Sequence, residues 1–284
     1  AKASVIISHF KAIGRKSWPL FTKALTMIER AAIDGRPFHF DLSPYQRTGS
    51  FLYLLLPDWA REGGFPAMLE RIQNPHHRPS LLEELKRLTL HYERYIVASS
   101  VATSANGLTI AEVAERAGSS PEEAILELLA VSGGRVTIFG KTLSYRNIVT
   151  GLTDPLGIVA SAASGVSAEL GETGKLVHPR STGAFPHFLH RFVHEAKLMS
   201  WEEGIRKITS LPADTVGFPG RGRIAKGQHA DLAVFDPEAI RDRSTYTNPY
   251  VHSAGMEAVI VNGKIAVEQG RVTTAAAGQV LKKS

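Results

Sequence analysis

Two short apolar runs constrain this chain more than anything else in it. Val5-Ile6-Ile7-Ser8-His9 and Pro37-Phe38-His39-Phe40-Asp41 have the β-branched and aromatic content of buried strands. Between them lies a helical pattern from Trp18 to Ile33, with Leu20, Ala24, Met27, Ile28 and Ala31 recurring at helical spacing. Strand, helix and strand in that order form the unit of a parallel α/β sheet. Each run also brings a histidine to its C-terminal end. That is where a (β/α) barrel presents its functional groups, metal ligands among them.

The alternation continues for two-thirds of the chain. Ser43-Pro44-Tyr45 stops the second strand, and residues 51 to 98 read as mostly helical around a loop at Asn74-Pro75-His76-His77-Arg78-Pro79. A helix is expected from Thr109 to Ala117. Ser119-Ser120-Pro121-Glu122-Glu123 opens the next, with a serine cap, proline in the first turn and acidic residues at the positive end of the dipole. Val136–Phe139 and Gly157–Ala162 read as two further strands. Four strands separated by helices predict half of a parallel α/β barrel, with a lone four-stranded parallel sheet as the alternative. A complete barrel takes about 250 residues, and only four strand–helix units are legible.

A Pro/Gly-rich stretch from Gly165 to Pro186 precedes two more expected helices, Phe188–Ala196 and Trp201–Leu211. Past Gly220 the pattern changes to short strands at Arg223–Gly227, Asp231–Phe235, Val259–Val261 and Lys264–Glu268. Asn262-Gly263 between alternating apolar residues is a two-residue hairpin signal. The expected division is a barrel half over 1–220, strands five to eight with their helices, and part of a small β-sandwich over 221–284.

Composition narrows the chemistry. The chain of 284 residues has no cysteine, so a metal would have to be held by His, Asp or Glu. Its net charge is +6, but the Lys and Arg residues are scattered, and the only terminal cluster is Lys282-Lys283. Without a basic stripe or a recognised module, nucleic acid is not expected as a partner. No apolar run reaches the roughly 18 residues of a membrane span, and no secretion signal opens the chain. A cytoplasmic location is the expectation.

Several segments together resemble the N-acyl-D-amino-acid deacylases (D-aminoacylases) of the amidohydrolase superfamily. They are Ile7-Ser8-His9-Phe10-Lys11, Phe40-Asp41-Leu42-Ser43-Pro44-Tyr45, Leu55 to Gly64, His178-Pro179-Arg180 with Gly183-Ala184-Phe185-Pro186, Thr209 to Ala213, and Gly222 to Leu232. The resemblance covers nearly the whole chain, and the His-Pro-Arg loop is its most specific element. It implies a (β/α)8 barrel with a small β-sandwich built from both chain ends, and zinc-activated water attacking an amide carbonyl.

By that resemblance His9 and His39 are metal ligands through neutral imidazole nitrogen, for one or two zinc ions. Arg180 clamps the substrate carboxylate, Tyr45 lines the pocket, and His178 shapes the loop. His76-His77, His187, His190 and His194 read as surface or packing residues.

Two departures from the family matter. The resemblance places a proton-transferring aspartate at the end of the last barrel strand, where this chain has Ala162, or Ser164 if the register slips by two. An engineered change or a natural loss would each account for it. The chain also opens inside its first strand, so a second polypeptide carrying the N-terminal half of the barrel is expected, and the pair could assemble further.

The implied function is a metal-dependent amidohydrolase subunit that hydrolyses an N-acyl amide bond of an N-acyl-amino acid or related amide, inactive with Ala162. The alternatives are a non-catalytic scaffold or regulatory subunit and a hydantoinase-like hydrolase of cyclic amides.

Overall fold

The computed structural model describes residues 4–163, 165–166 and 169–282. The first strand, β1 (Val5–Ile7), is followed by helix α1 (Trp18–Ile33) and strand β2 (Phe38–Leu42). Pro19 in the first turn is compatible with the start of α1, where backbone N–H groups have no intrahelical partner. Phe21, Leu25 and Ile28 are its buried residues, on one helical face.

The chain then leaves the parallel sheet to build a separate unit. Strand β3 (Arg47–Phe51) leads to α2 (Asp58–Arg61), α3 (Gly64–Gln73) and α4 (Arg78–Arg87), then β4 (Tyr95–Ser99), α5 (Ile110–Ala117), α6 (Pro121–Val131) and β5 (Thr137–Lys141). Both α5 and α6 start with a capping box, Thr109 with Glu112 and Ser120 with Glu123. This unit has its own core, which includes Leu52, Met68, Ile72, Leu81, Ile125 and Ile138.

Helix α7 (Tyr145–Thr153) and strand β6 (Gly157–Val159) return the chain to the first sheet. That sheet has the order β1-β2-β6, all parallel. Phe40 and Leu42 of β2 are buried with Phe21, Leu25, Ile148 and Leu152 in a second core. Gly157 is needed where β6 passes α7, because a Cβ there would lie 2.3 Å from the Gly151 carbonyl oxygen.

After α8 (Glu169–Glu172) come α9 (Arg180–Phe188), a π-helical turn at Leu189–Glu195, α10 (Trp201–Ile208) and α11 (Ser210–Val216). The chain ends in an antiparallel sheet of β7 (Leu232–Phe235), β8 (Met256–Val261), β9 (Lys264–Glu268) and β10 (Arg271–Val272), in the order β10-β9-β8-β7. Asn262 and Gly263 take positive φ of 48° and 78° between β8 and β9, the backbone of a type I′ hairpin turn. No described helix is long and apolar enough to cross a membrane.

Several expectations are corrected. Val136–Phe139 overlaps a strand, but β5 pairs antiparallel with β3 and β4, so three strands rather than four form the parallel sheet. An apolar run of this length does not encode strand direction. Residues 51 to 98 are mostly helical as expected, but they also hold β4 and the end of β3, because a short run such as Ile96-Val97-Ala98 serves a buried strand as well as a helix. The first strand stops at Ile7, Arg223–Gly227 forms no strand, and Trp201–Leu211 is broken at Thr209 into two helices. Ser164, the alternative position for the missing aspartate, lies outside the described residues.

Candidate active site

The cavity at the end of the parallel sheet gathers residues from distant parts of the chain. His9, Lys11, Asp41, Tyr45, Ala162 and Arg180 all stand in its wall, around about 510 Å³ of space that includes open solvent. Four of the six site residues expected from sequence therefore share it: His9, Tyr45, Ala162 and Arg180. His178 lies behind the wall, and His39 is not part of the lining.

His9 sits two residues beyond β1, with a φ of 57°. Asp41 of β2 holds it there: its carboxylate accepts the Ser8 hydroxyl at 2.7 Å and the His9 backbone N–H at 2.9 Å. His39, by contrast, is the second residue of β2, in register with Ile6 and below the mouth of the sheet. The expectation that it ends its strand is corrected, because the ladder runs on through Leu42 to pair with β6. Its Nδ1 is buried without a hydrogen-bond partner among the described residues.

The donors test the metal that the resemblance implies. Both carboxylate oxygens of Asp41 already accept hydrogen bonds, and the two histidines do not share the cavity wall. Among the described residues, no three His, Asp or Glu side chains group so as to hold a metal ion. These residues do not make a metal site on their own.

Arg180 is the first residue of α9 and half-buried. Its Nε is buried and has no hydrogen-bond partner among the described residues. Burial pushes the guanidinium pKa down. Burial also lowers the Lys11 pKa, followed by repulsion from Arg180, while Asp41 opposes the shift. The wall thus carries two cations that repel one another.

Behind the wall, His178 is 5% exposed. Its Nδ1 accepts the Arg180 backbone N–H at 3.1 Å, so its Nε2 carries the proton and donates to the Arg47 carbonyl at 3.0 Å. Tyr45, Phe139 and Tyr246 meet the ring edge-on, with centroids 5.1 to 5.3 Å away. Burial, then the Arg180 charge, lowers the His178 pKa from 6.5 to about 3.

Ala162 also has a positive φ, 50°. Asp, Asn and Gly adopt this conformation more readily than Ala.

Sequence reasoning missed Asp41 and Lys11 in the wall of the site, and Asp242 and Tyr246 behind it. Asp41 was within reach, since it shares a strand face with His39 by two-residue alternation. Asp242 and Tyr246 lie between β7 and β8, where no local pattern points to the cavity. Of the two readings given to His187, surface or packing, the structure shows packing: it stacks on Tyr45 at 4.3 Å and donates to Asp242 at 3.1 Å. His190 and His194 pair with Glu195 and Glu238 in and beside the π-helical turn.

Residues 15–267 match the Amidohydrolase family. An N-acyl-D-aspartate deacylase of Alcaligenes xylosoxydans xylosoxydans is 28% identical over 277 residues, which is 98% of this chain and 47% of that protein. An N-acyl-D-glutamate deacylase of the same organism is 46% identical over 86 residues, 30% of this chain and 18% of that protein. The crystal structure of a D-aminoacylase has a TM-score of 0.74 at 24% identity, covering 99% of this chain and 50% of that one. The N-acyl-D-glutamate deacylase of Bordetella bronchiseptica, solved with zinc and a phosphonate inhibitor, gives 0.70 at 23% identity, covering 97% and 50%. These two likenesses show a shared fold. The chain spans about half the length of the relatives that it matches along its whole extent.

Proposed function

Because the chain belongs to the amidohydrolase family, we propose that it supplies one side of the active site of a hydrolase that cleaves the amide bond of an N-acyl-amino acid. Arg180 carries this reading. Its guanidinium stands at the cavity wall, and its buried Nε has no partner among the described residues. A buried donor left unmatched is costly, and a carboxylate matches the guanidinium fork with two parallel hydrogen bonds. Lys11 lies in the same wall, so one substrate carboxylate would relieve the repulsion between the two cations.

The other residues of the wall orient and enclose. Asp41 fixes the backbone of His9, and Tyr45 lines the cavity with its ring stacked on His187 of α9. Zinc, the cofactor that the resemblance implies, would find His9 in this cavity and its other donors outside the described residues. It would polarise the amide carbonyl when bound. At position 162 an aspartate would move the proton from water to the leaving amine. Alanine cannot, so we read the chain as inactive as it stands.

We propose that the remaining strands come from outside the described residues, from a partner polypeptide or a further segment of the same protein. Among the described residues β1 and β6 each pair on one side only, and no residue of β7 to β10 is buried. Open edges and a half-covered sheet call for another layer. We accordingly keep the division into a barrel part, 1–220, and a sandwich part, 221–284.

Ala162 also favours a second reading, a non-catalytic subunit that scaffolds its partner. Metal content and one substitution separate the two. A zinc-bearing complex that gains N-acyl-amino acid hydrolysis on Ala162→Asp supports the hydrolase. A complex free of metal and inert after that change supports the scaffold. Calorimetric titration with N-acetyl-amino acids and their carboxamides tests Arg180 directly: the acids should bind at least ten-fold tighter, and Arg180→Met should erase the difference.

A further inference from the structure

His178 is the only side chain described that bonds to the backbone of both walls behind the cavity. Its Nε2–H donates to the carbonyl of Arg47 at the start of β3, and its Nδ1 accepts the N–H of Arg180 at the start of α9. One imidazole thus spans two segments 133 positions apart in the chain. Both ring nitrogens are committed, in opposite senses, so the bridge exists only in the neutral tautomer with the proton on Nε2. Tyr45, Phe139 and Tyr246 leave the ring little room to turn. Packing alone needs an aromatic ring here; it does not need both nitrogens.

We propose that His178 is a positioning residue for carboxylate recognition: its neutral ring pins the first turn of α9 to β3 and so fixes the Arg180 guanidinium at the cavity wall. This rests on the N-acyl-amino acid reading above. The helix cannot do the job alone, since Arg180 is its first residue and Pro179 makes no side-chain cap. A guanidinium on a long stem gains from a fixed origin, because less freedom is lost when it closes on a ligand.

The test compares an N-acetyl-amino acid with its carboxamide on the wild type, His178→Phe and His178→Gln. Phenylalanine keeps the ring and removes both bonds; glutamine can accept and donate. The wild type should favour the acid. His178→Phe should lose about ten-fold in affinity for the acid and little for the carboxamide, and His178→Gln should recover most of that loss. Equal losses on both ligands, or no loss, overturn the inference while the acid preference of the wild type leaves the functional reading standing. A wild type without acid preference overturns both. Nitrogen-15 NMR of the unsubstituted protein gives an answer independent of any variant's folding: a ring protonated at pH 6, or carrying its proton on Nδ1, also overturns the inference.

Discussion

Asp242 lies beneath Tyr45, and one of its oxygens serves two rings. Oδ2 accepts the Tyr45 hydroxyl at 3.4 Å and the His187 Nδ1–H at 3.1 Å, while the two rings stack with centroids 4.3 Å apart. A residue between β7 and β8 thereby fixes a wall of the cavity at the end of β2. Burial, followed by the Asp242 charge, pushes the Tyr45 hydroxyl pKa far up, so this ring donates a proton and does not ionise. Asp242→Ala would leave both donors unmatched and cost about 1–3 kcal/mol. Urea unfolding should register that loss, and Asp242→Asn, which keeps an acceptor, should lose less. Equal stability of Asp242→Ala and the wild type would show that the contact contributes nothing.

Gly183 in α9 makes this approach possible. A Cβ at that position would come within 2.7 Å of the Asp242 Cβ. Neither atom is the free end of a flexible side chain, so Gly183→Ala forces the helix and the Asp242 segment apart, at about 1–3 kcal/mol. Thermal unfolding measures this. The substitution is helix-favouring in isolation, so a rise in Tm would mean that the two segments are not in contact.

His178 sets a pH dependence. Its pKa in the folded chain is about 3, below the ordinary 6.5, and the charged groups facing it are Arg180 and Arg47, with His187 beyond. Tyr45, Phe139 and Tyr246 enclose the ring. As pH falls through 6.5 the unfolded chain takes up the proton and the folded chain does not. The contribution is complete above pH 6.5 and declines towards pH 3, at about 1.4 kcal/mol per unit. Unfolding free energies at pH 7.5, 6 and 5 should follow that slope more steeply in the wild type than in His178→Gln. Parallel slopes would place the proton elsewhere.

Lys207 is fully buried and donates to the carbonyls of Asp154 and Gly157, the latter at 3.1 Å, where α7 turns into β6. Glu203 lies 3.6 Å from the ammonium. Lys207→Met fills the same space but leaves the two carbonyls without that donor, so a loss of about 1–3 kcal/mol is expected. A chemical unfolding midpoint as high as that of the wild type would contradict it.

Much of this was legible because it is local. α1 has the boundaries that periodicity gives it, and Ser120 and Asn262-Gly263 do what their side chains and backbone freedom dictate. His9, Tyr45, Ala162 and Arg180 were reached through motif resemblance, and the fold brings them to one cavity. Pairing direction was not legible. β5 has the apolar content of a barrel strand, and only its partners β3 and β4 make it antiparallel. The network of Tyr45, His187 and Asp242 spans 197 positions and leaves no periodic trace.

The loop before α9 is stitched to the inserted unit: the Leu176 N–H donates to the Ala98 carbonyl at 2.8 Å, and the Asn106 side chain to the Gly174 carbonyl at 2.9 Å. Any swing of that unit would tug on the strap that ends at Arg180. On the carboxylate reading proposed above, those two hydrogen bonds would carry a shift of the insert to the start of α9.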